Sequence, residues 1–126
     1  MDGLECRSTG RHSFWRGKIT SELLLAWKQP KKTNGILNGY RIYYQEVETN
    51  KLGTFLEHKP RVMNGRADNA KLDGLKPGSK YRVTIRATTK AGEGLAHYTE
   101  CETPQASQFY KATIFIYSLY ILYFRS

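Results

Sequence analysis

The three histidines of the chain, His12, His58 and His97, are the first residues to test for metal binding or catalysis. They are scattered, and none has a cysteine or a carboxylate at the spacing that zinc sites use. The carboxylates are also dispersed, so no acid–base pair stands out. Gly92-Glu93-Gly94 lacks the strand-to-helix context of a phosphate-binding loop. These patterns predict a non-catalytic protein that uses no metal and no cofactor.

Basic residues are the second candidates for a functional role. The formal net charge is +9, and the excess is spread along the chain rather than gathered in an arm that would bind nucleic acid, so no nucleic-acid partner is expected. Arg41, Arg82 and Arg86 fall on the polar sides of two predicted strands, with Lys80 beside them. If those strands pair, the four side chains form a basic face for a sulfated glycosaminoglycan or an acidic partner. An ordinary solvated strand face is the alternative.

The elements that would position these residues are predicted to be β-strands. Residues 40–47 and 81–87 alternate apolar and polar side chains, as a strand with one dry and one wet face does. Before the second of these strands, Pro77-Gly78 predicts a turn, and Tyr81 completes a corner in which its phenol bonds back to upstream backbone. Further short strands are predicted at 21–28, 53–57, 62–63, 69–73 and 96–103, and residues 21–104 show no helical period.

Three motifs follow one another in an order that resembles a fibronectin type III domain. They are Trp27-x-x-Pro30, then Asn34-Gly35 leading to Gly39-Tyr40-x-Ile42-Tyr43-Tyr44, then Leu75-x-Pro77-Gly78-x-x-Tyr81 leading to Ala91-Gly92-x-Gly94. The resemblance covers residues 19–104 and implies a seven-stranded antiparallel immunoglobulin-like sandwich with a poorly defined first strand. The sequences of residues 37–46 and 88–94 are most similar to those of L1-type neural cell-adhesion molecules, the group of neuroglian and neurofascin.

This resemblance implies a module for protein recognition or spacing in a cell-adhesion receptor at the cell surface. Its partner would be an adhesion molecule or a neighbouring domain. The family's Arg-Gly-Asp integrin loop is replaced here by Lys90-Ala91-Gly92-Glu93-Gly94, and Asn64-Gly65-Arg66-Ala67-Asp68 is interpreted as a turn. Because residues 1–17 lack the apolar segment of a signal peptide, a structural module in a cytosolic chain is the alternative. Since the family's proteins carry many repeats, a fragment or truncated product is expected.

The predicted core follows from the inward positions of these strands, with Trp27 as its central plug. Its members are large apolar or aromatic side chains at alternate positions. They are Leu23, Leu25, Trp27, Tyr40, Ile42, Tyr44, Leu72, Leu75, Tyr81, Val83 and Ile85.

Residues 1–18 are predicted to be an atypical segment outside the sandwich. They are polar and lack periodicity, and residues 11–17 make a poor strand where the family has its first one. The two cysteines are Cys6 and Cys101. Because Cys6 lies in a stretch without a strand signal, a native disulfide is not expected, and Cys101 is predicted to be a buried free thiol.

Residues 105–126 form a polar spacer followed by an apolar run at 112–124. A membrane-spanning helix needs about 20 apolar residues, and this run would cover only about 20 Å as a helix. Three interpretations remain open. The run is a marginal anchor at the membrane interface, a strand added to an open edge of the sandwich, or sequence without a role.

Overall fold

The computed structural model describes residues 3–31, 35–49 and 51–105, which form two antiparallel sheets and no helix. The strands are β1 (Glu5–Trp15), β2 (Lys18–Ala26), β3 (Gly39–Glu48), β4 (Lys51–Leu52), β5 (Leu56–Glu57), β6 (Asn69–Leu75), β7 (Lys80–Thr89), β8 (Gly92–Glu93) and β9 (His97–Glu102). One sheet has the order β1-β2-β6. The other runs β4-β3-β7-β8, with β5 paired to β3 and β9 paired to β7. The predicted β-sandwich is confirmed.

The core lies between the two sheets. Strand β2 alternates buried and partly exposed residues along its length, as the sequence pattern predicts, and Leu23 and Leu25 are fully buried. The Trp27 ring packs on Tyr40 with a centroid distance of 5.1 Å. Ten of the predicted core residues form one buried cluster: Leu23, Leu25, Trp27, Tyr40, Ile42, Leu72, Leu75, Tyr81, Val83 and Ile85.

The eleventh predicted core residue, Tyr44, is only partly buried and packs against the cluster. Burial decreases along β3 toward its carboxyl end, and the Tyr44 ring meets the Tyr81 ring there at a centroid distance of 6.4 Å. Ile19, which the sequence analysis left out, is buried at the start of β2.

The predicted tyrosine corner is present and is tied to the end of the last strand. The Tyr81 hydroxyl accepts a hydrogen bond of 2.8 Å from the backbone N–H of Lys76, and Gly78 takes the positive φ of +63° that this turn requires. The buried Thr103 closes the corner. Its hydroxyl donates to the Lys76 carbonyl (2.6 Å) and accepts from the Ser79 N–H (3.0 Å).

The start of β3 is held by a close approach of two backbone segments. Val62 forms an isolated bridge to Tyr40 rather than the predicted short strand at 62–63. A Cβ on Gly39 would lie 2.0 Å from the Val62 carbonyl oxygen, so only glycine fits there. The Tyr40 hydroxyl donates to the carbonyl of Gly65 (3.0 Å). Residues 64–68 form the predicted turn, in which the Ala67 N–H donates to the Asn64 carbonyl.

Strand β1 corrects the prediction that residues 1–18 lie outside the sandwich. Residues 5–15 form a strand that pairs with β2 on the edge of the smaller sheet. Its register shifts between Ser8 and His12, and Gly10 has a φ of +72° there. The His12 Nδ1 lies 2.9 Å from the buried Ser21 hydroxyl. Backbone pairing and polar contacts join this strand to β2, and the search for apolar alternation could not detect them.

A disulfide joins Cys6 on β1 to Cys101 on β9, so the prediction of a free Cys101 thiol is wrong. The Cα atoms of the two residues are 5.9 Å apart although 95 positions separate them in sequence. Both half-cystines pack against the core cluster. The bond links the two sheets, and it went unpredicted because β1 was not recognised as the strand that carries Cys6 to this position.

Most of the predictions for the carboxyl-terminal segment concern residues that lie outside the described ones. Strand β9 ends at Glu102, close to the predicted boundary at residue 104. The apolar run at 112–124 lies outside the described residues, so its three interpretations remain predictions. Within residues 3–31, 35–49 and 51–105, no helix is long and apolar enough to cross a membrane.

Candidate functional site

The four basic residues predicted to form one face lie on the outer side of the six-stranded sheet but in two groups. Arg41 on β3 is directly opposite Arg86 on β7. Arg82 lies four residues away along β7, opposite Gln45, and Lys80 is opposite Val47. Four residues of strand correspond to about 13 Å. The sheet thus brings together Arg41 with Arg86 and, separately, Lys80 with Arg82.

Glu57 on β5 neutralises part of the first group. Arg41 donates twice to its carboxylate, with Nε–Oε1 and Nη2–Oε2 distances of 2.9 and 3.0 Å. Lys59 and Arg61 approach the same carboxylate at 3.1 and 2.9 Å. These hydrogen bonds, that from Arg41 first, lower the pKa of Glu57 to about 2 and raise the pKa of Arg41. A two-point arginine–carboxylate pair fixes both side chains in one orientation.

Glu93 in the β7–β8 hairpin also contacts the first group. Its carboxylate accepts a hydrogen bond from Arg41 and one of 3.1 Å from the Tyr43 hydroxyl. Arg86 lies 3.8 Å away and donates to the Gly94 carbonyl at 2.9 Å. Burial, and then the bond to Glu93, raises the pKa of Tyr43. Strand β8 therefore contributes an acidic contact to this face.

Glu100 on β9 pairs with the second group. Arg82 and Lys80 contact its two carboxylate oxygens at 3.0 and 3.1 Å. Arg82 is the main reason, and Lys80 the next, that the pKa of Glu100 is held below its usual value. All four predicted basic residues are consequently engaged by acidic side chains.

An aromatic row crosses the sheet between these two charged groups. Tyr43, Thr84 and Tyr98 are direct neighbours on β3, β7 and β9, and Phe55 stacks on Tyr43 at a centroid distance of 4.9 Å. The guanidinium groups of Arg41 and Arg82 lie over Tyr43 and Tyr98, 5.2 and 5.0 Å from the ring centroids. Phe55 and Tyr98 are 55% and 65% exposed. We call Phe55, Tyr43, Thr84 and Tyr98 the aromatic row.

Sequence reasoning missed the three carboxylates and the aromatic row. Glu57, Glu93 and Glu100 come from three different strands, and only their pairing brings them to the arginines. The alternation of β9 carried one usable signal, since it places Tyr98 and Glu100 on the same side of the strand. The partners of Arg41 carried no comparable signal, because β5 and β8 are two residues long.

The remaining candidates for metal binding or catalysis do not come together in one site among the described residues. In the part of the chain that the structure describes, no group of three or more His, Cys, Asp or Glu residues is placed to hold a metal ion. Of the histidines, His12 contacts Ser21 in the smaller sheet. In the larger sheet, the His58 N–H donates to the Ile42 carbonyl, and His97 begins β9 opposite Ile85.

Comparison with known proteins identifies the family of this chain. Residues 13–102 match the fibronectin type III domain. Neuroglian of Drosophila melanogaster is 48% identical over 84 residues, which cover 67% of this chain and 6% of that protein. Contactin-2 of Rattus norvegicus is 36% identical over 83 residues, covering 64% of this chain and 8% of that protein. The chain thus spans less than a tenth of the length of these relatives. The predicted similarity to L1-type molecules is confirmed.

Solved structures agree with the sequence match. The third fibronectin III domain of the human KIAA0343 protein aligns with a TM-score of 0.54 at 26% identity, covering 67% of this chain and 71% of that one. The FN5 domain of Drosophila Lar aligns with a TM-score of 0.58 over 81% of this chain and 91% of its own, and at 20% identity it shows the fold alone. Domains of this kind are typically non-catalytic modules of adhesion proteins and receptors. The chain belongs to the fibronectin type III domain family.

Proposed function

We propose that this chain is a non-catalytic recognition module of a cell-adhesion receptor and that the aromatic row meets its protein partner. The observation that carries the proposal is the exposure of Phe55 and Tyr98 on a face where arginines are already held in place. Aromatic residues and arginine are the types enriched in protein interfaces and in their energetic hot spots. Single exposed apolar residues are ordinary on a protein surface. Here, however, the aromatic residues lie in one row beside arginines that ion pairs hold in place, and this arrangement favours binding.

The ion pairs favour binding by holding side chains in one geometry before the partner arrives. Ordering a flexible side chain costs about 0.5–1.5 kcal/mol on association. Arg41 is fixed by Glu57 and Glu93, and Arg82 by Glu100. These arginines therefore present their remaining N–H groups to a partner at a reduced entropic cost.

The balance of charge favours an acidic protein surface as the partner. Among the described residues, six cations share the three carboxylates of this face: Arg41, Lys59, Arg61, Lys80, Arg82 and Arg86. The face keeps a positive excess while its centre is aromatic. A folded protein with carboxylates around an apolar patch is complementary to that arrangement.

A cell-surface location is supported by two observations of different kinds. The relatives are adhesion proteins and receptors. The disulfide between Cys6 and Cys101 is a bond that persists in oxidising compartments and is rare in the cytosol. Both favour the receptor module over a structural module in a cytosolic chain. That the chain is a fragment or truncated product of a longer receptor remains a prediction.

Glycosaminoglycan binding by Arg41, Lys80, Arg82 and Arg86 has less support than protein binding. Each of these cations already contacts a carboxylate, and a sulfate group would have to compete with Glu57, Glu93 or Glu100. The aromatic row also separates the two basic groups.

The test is binding of the fluorescently labelled full chain to cultured neurons. Cells are left untreated, treated with trypsin, or treated with heparinase. We expect trypsin to abolish binding. On heparinase-treated cells, we expect wild type to bind more strongly than the variant Phe55→Ser/Tyr98→Ser. Retained binding after trypsin would contradict a protein partner.

The matched control replaces two exposed apolar residues elsewhere. Ile36 and Met63 are 84% and 76% exposed and lie outside the aromatic row, so Ile36→Ser/Met63→Ser removes comparable apolar surface. We expect this control to bind as wild type does. Equal losses in both double variants would show general stickiness and would overturn the assignment of the aromatic row.

A further inference from the structure

A second surface, on the outer side of the three-stranded sheet, has a different character. Arg7 on β1, Leu24 on β2 and Lys71 on β6 are direct neighbours across the three strands. Arg7, Lys71 and Arg11 line one groove of about 490 Å³. We call it the β1 groove.

The β1 groove holds more cations than its acidic residue can pair with. Glu22, whose side chain is only 14% exposed, accepts a hydrogen bond of 2.8 Å from the Thr9 hydroxyl and lies 3.7 Å from the Lys71 ammonium group. Arg7 and Arg11 are exposed and form no ion pair within the described part of the chain. On the six-stranded sheet, by contrast, all four predicted basic residues are paired.

The spacing of these cations suits a linear polyanion. Arg7 and Lys71 are two strands apart, which corresponds to about 10 Å, and Arg11 is four residues along β1 from Arg7. The lining between them is Leu24 with the hydroxyl residues Ser8 and Thr9. A folded protein partner would require a larger apolar centre, whereas a chain with repeated anionic groups needs only cations and hydroxyl groups at intervals.

We propose that the β1 groove binds a sulfated polysaccharide through Arg7, Arg11 and Lys71. Arg7 and Arg11 precede residue 13, where the match to the family begins, so the site depends on residues outside that match. It is separate from the aromatic row and does not require the proposed protein partner.

The test is the salt dependence of heparin binding by the full chain. A protein cation that contacts a linear polyanion releases condensed counterions. The logarithm of the affinity therefore falls linearly with the logarithm of the salt concentration, with a slope proportional to the number of contacts. We expect Arg7→Gln/Arg11→Gln to elute from a heparin column at lower salt. The slope of log Kd against log salt should fall by about two.

A matched control removes the same charge elsewhere. Lys51 on β4 and Lys90 in the β7–β8 turn are exposed and, in the described part of the chain, have no ion pair. Lys51→Gln/Lys90→Gln should elute as wild type does. Equal shifts for the two double variants would mean binding by net charge alone and would overturn the site. So would equal affinity for heparin and for fully desulfated heparin or duplex DNA.

A gain-of-binding variant keeps the proposal testable if the β1 substitutions impair folding. Glu22→Gln retains an acceptor for Thr9 and removes the negative charge of the groove, so elution should move to higher salt. Glu48→Gln makes the same change of charge on the exposed end of β3 and serves as its control. Equal elution of Glu22→Gln and Glu48→Gln would contradict the proposal.

Discussion

Strands β3 and β7 present two different chemistries on their two sides. The inner side places Tyr40, Ile42, Val83 and Ile85 in a buried cluster, where each apolar side chain contributes about 1.5–3 kcal/mol. The outer side carries the aromatic row and the ion pairs, in which exposed charge pairs contribute about 0–1 kcal/mol. The inner side therefore determines stability, and the outer side is free to be specialised for binding. Substitutions on the two sides test this difference.

The largest loss of stability is expected from Trp27→Ala. Trp27 is 3% exposed and contacts Tyr40, so truncation removes burial energy and leaves a cavity. We expect a loss of about 3–5 kcal/mol, measured by chemical denaturation. A melting temperature within a degree or two of wild type would contradict the assignment of Trp27 to the core.

The disulfide should give the next largest effect, because it links the two sheets. It closes a loop of 95 positions, and loss of such a bond costs about 2–5 kcal/mol. We expect the free energy of unfolding to fall by this amount when wild type is reduced, and Cys6→Ser/Cys101→Ser to be insensitive to reductant. Identical denaturation curves for oxidised and reduced wild type would show that β1 is held without the bond.

Thr103→Val tests the polar part of the interior. The substitution keeps the shape and removes the hydroxyl that binds the Lys76 carbonyl and the Ser79 N–H. Leaving buried backbone groups unpaired costs about 1–3 kcal/mol. Thr54→Val, the same change at an exposed position, should stay within about 0.5 kcal/mol of wild type. Equal stabilities of the two variants would argue against the corner as described.

Glu57→Gln should have the smallest effect at neutral pH and a visible effect in acid. Because the pKa of Glu57 is lowered to about 2 from an ordinary value of 4.5, its ion pairs stabilise the fold above about pH 4.5. That contribution is lost as pH falls toward 2. The melting temperatures of wild type and variant should therefore converge between pH 5 and pH 2. Parallel curves would contradict the pairing, and Glu48→Gln should follow the wild-type profile.

The inner side of the molecule could be predicted from sequence far better than the outer side. The alternation of residues 81–87 and the Pro77-Gly78 turn are local signals, and they located β7 and its corner. The strand patterns at 21–28, 40–47 and 69–73 are local as well, and they located most of the remaining core. Strand β1 has no such alternation, so its position and the Cys6–Cys101 bond escaped prediction. The sequence predicted a strand at 53–57, of which Leu56–Glu57 forms β5. No local pattern specified that this strand pairs with β3 and so brings Glu57 to Arg41.

The most direct test of the division between the two sides is one variant measured in two ways. Phe55→Ser/Tyr98→Ser alters only exposed residues of the aromatic row, so its melting temperature should stay within about 3 °C of wild type. Its trypsin-sensitive binding to heparinase-treated neurons should be lost. A variant that melts normally and still binds as wild type does would contradict the account, because the outer side would then have no part in recognition.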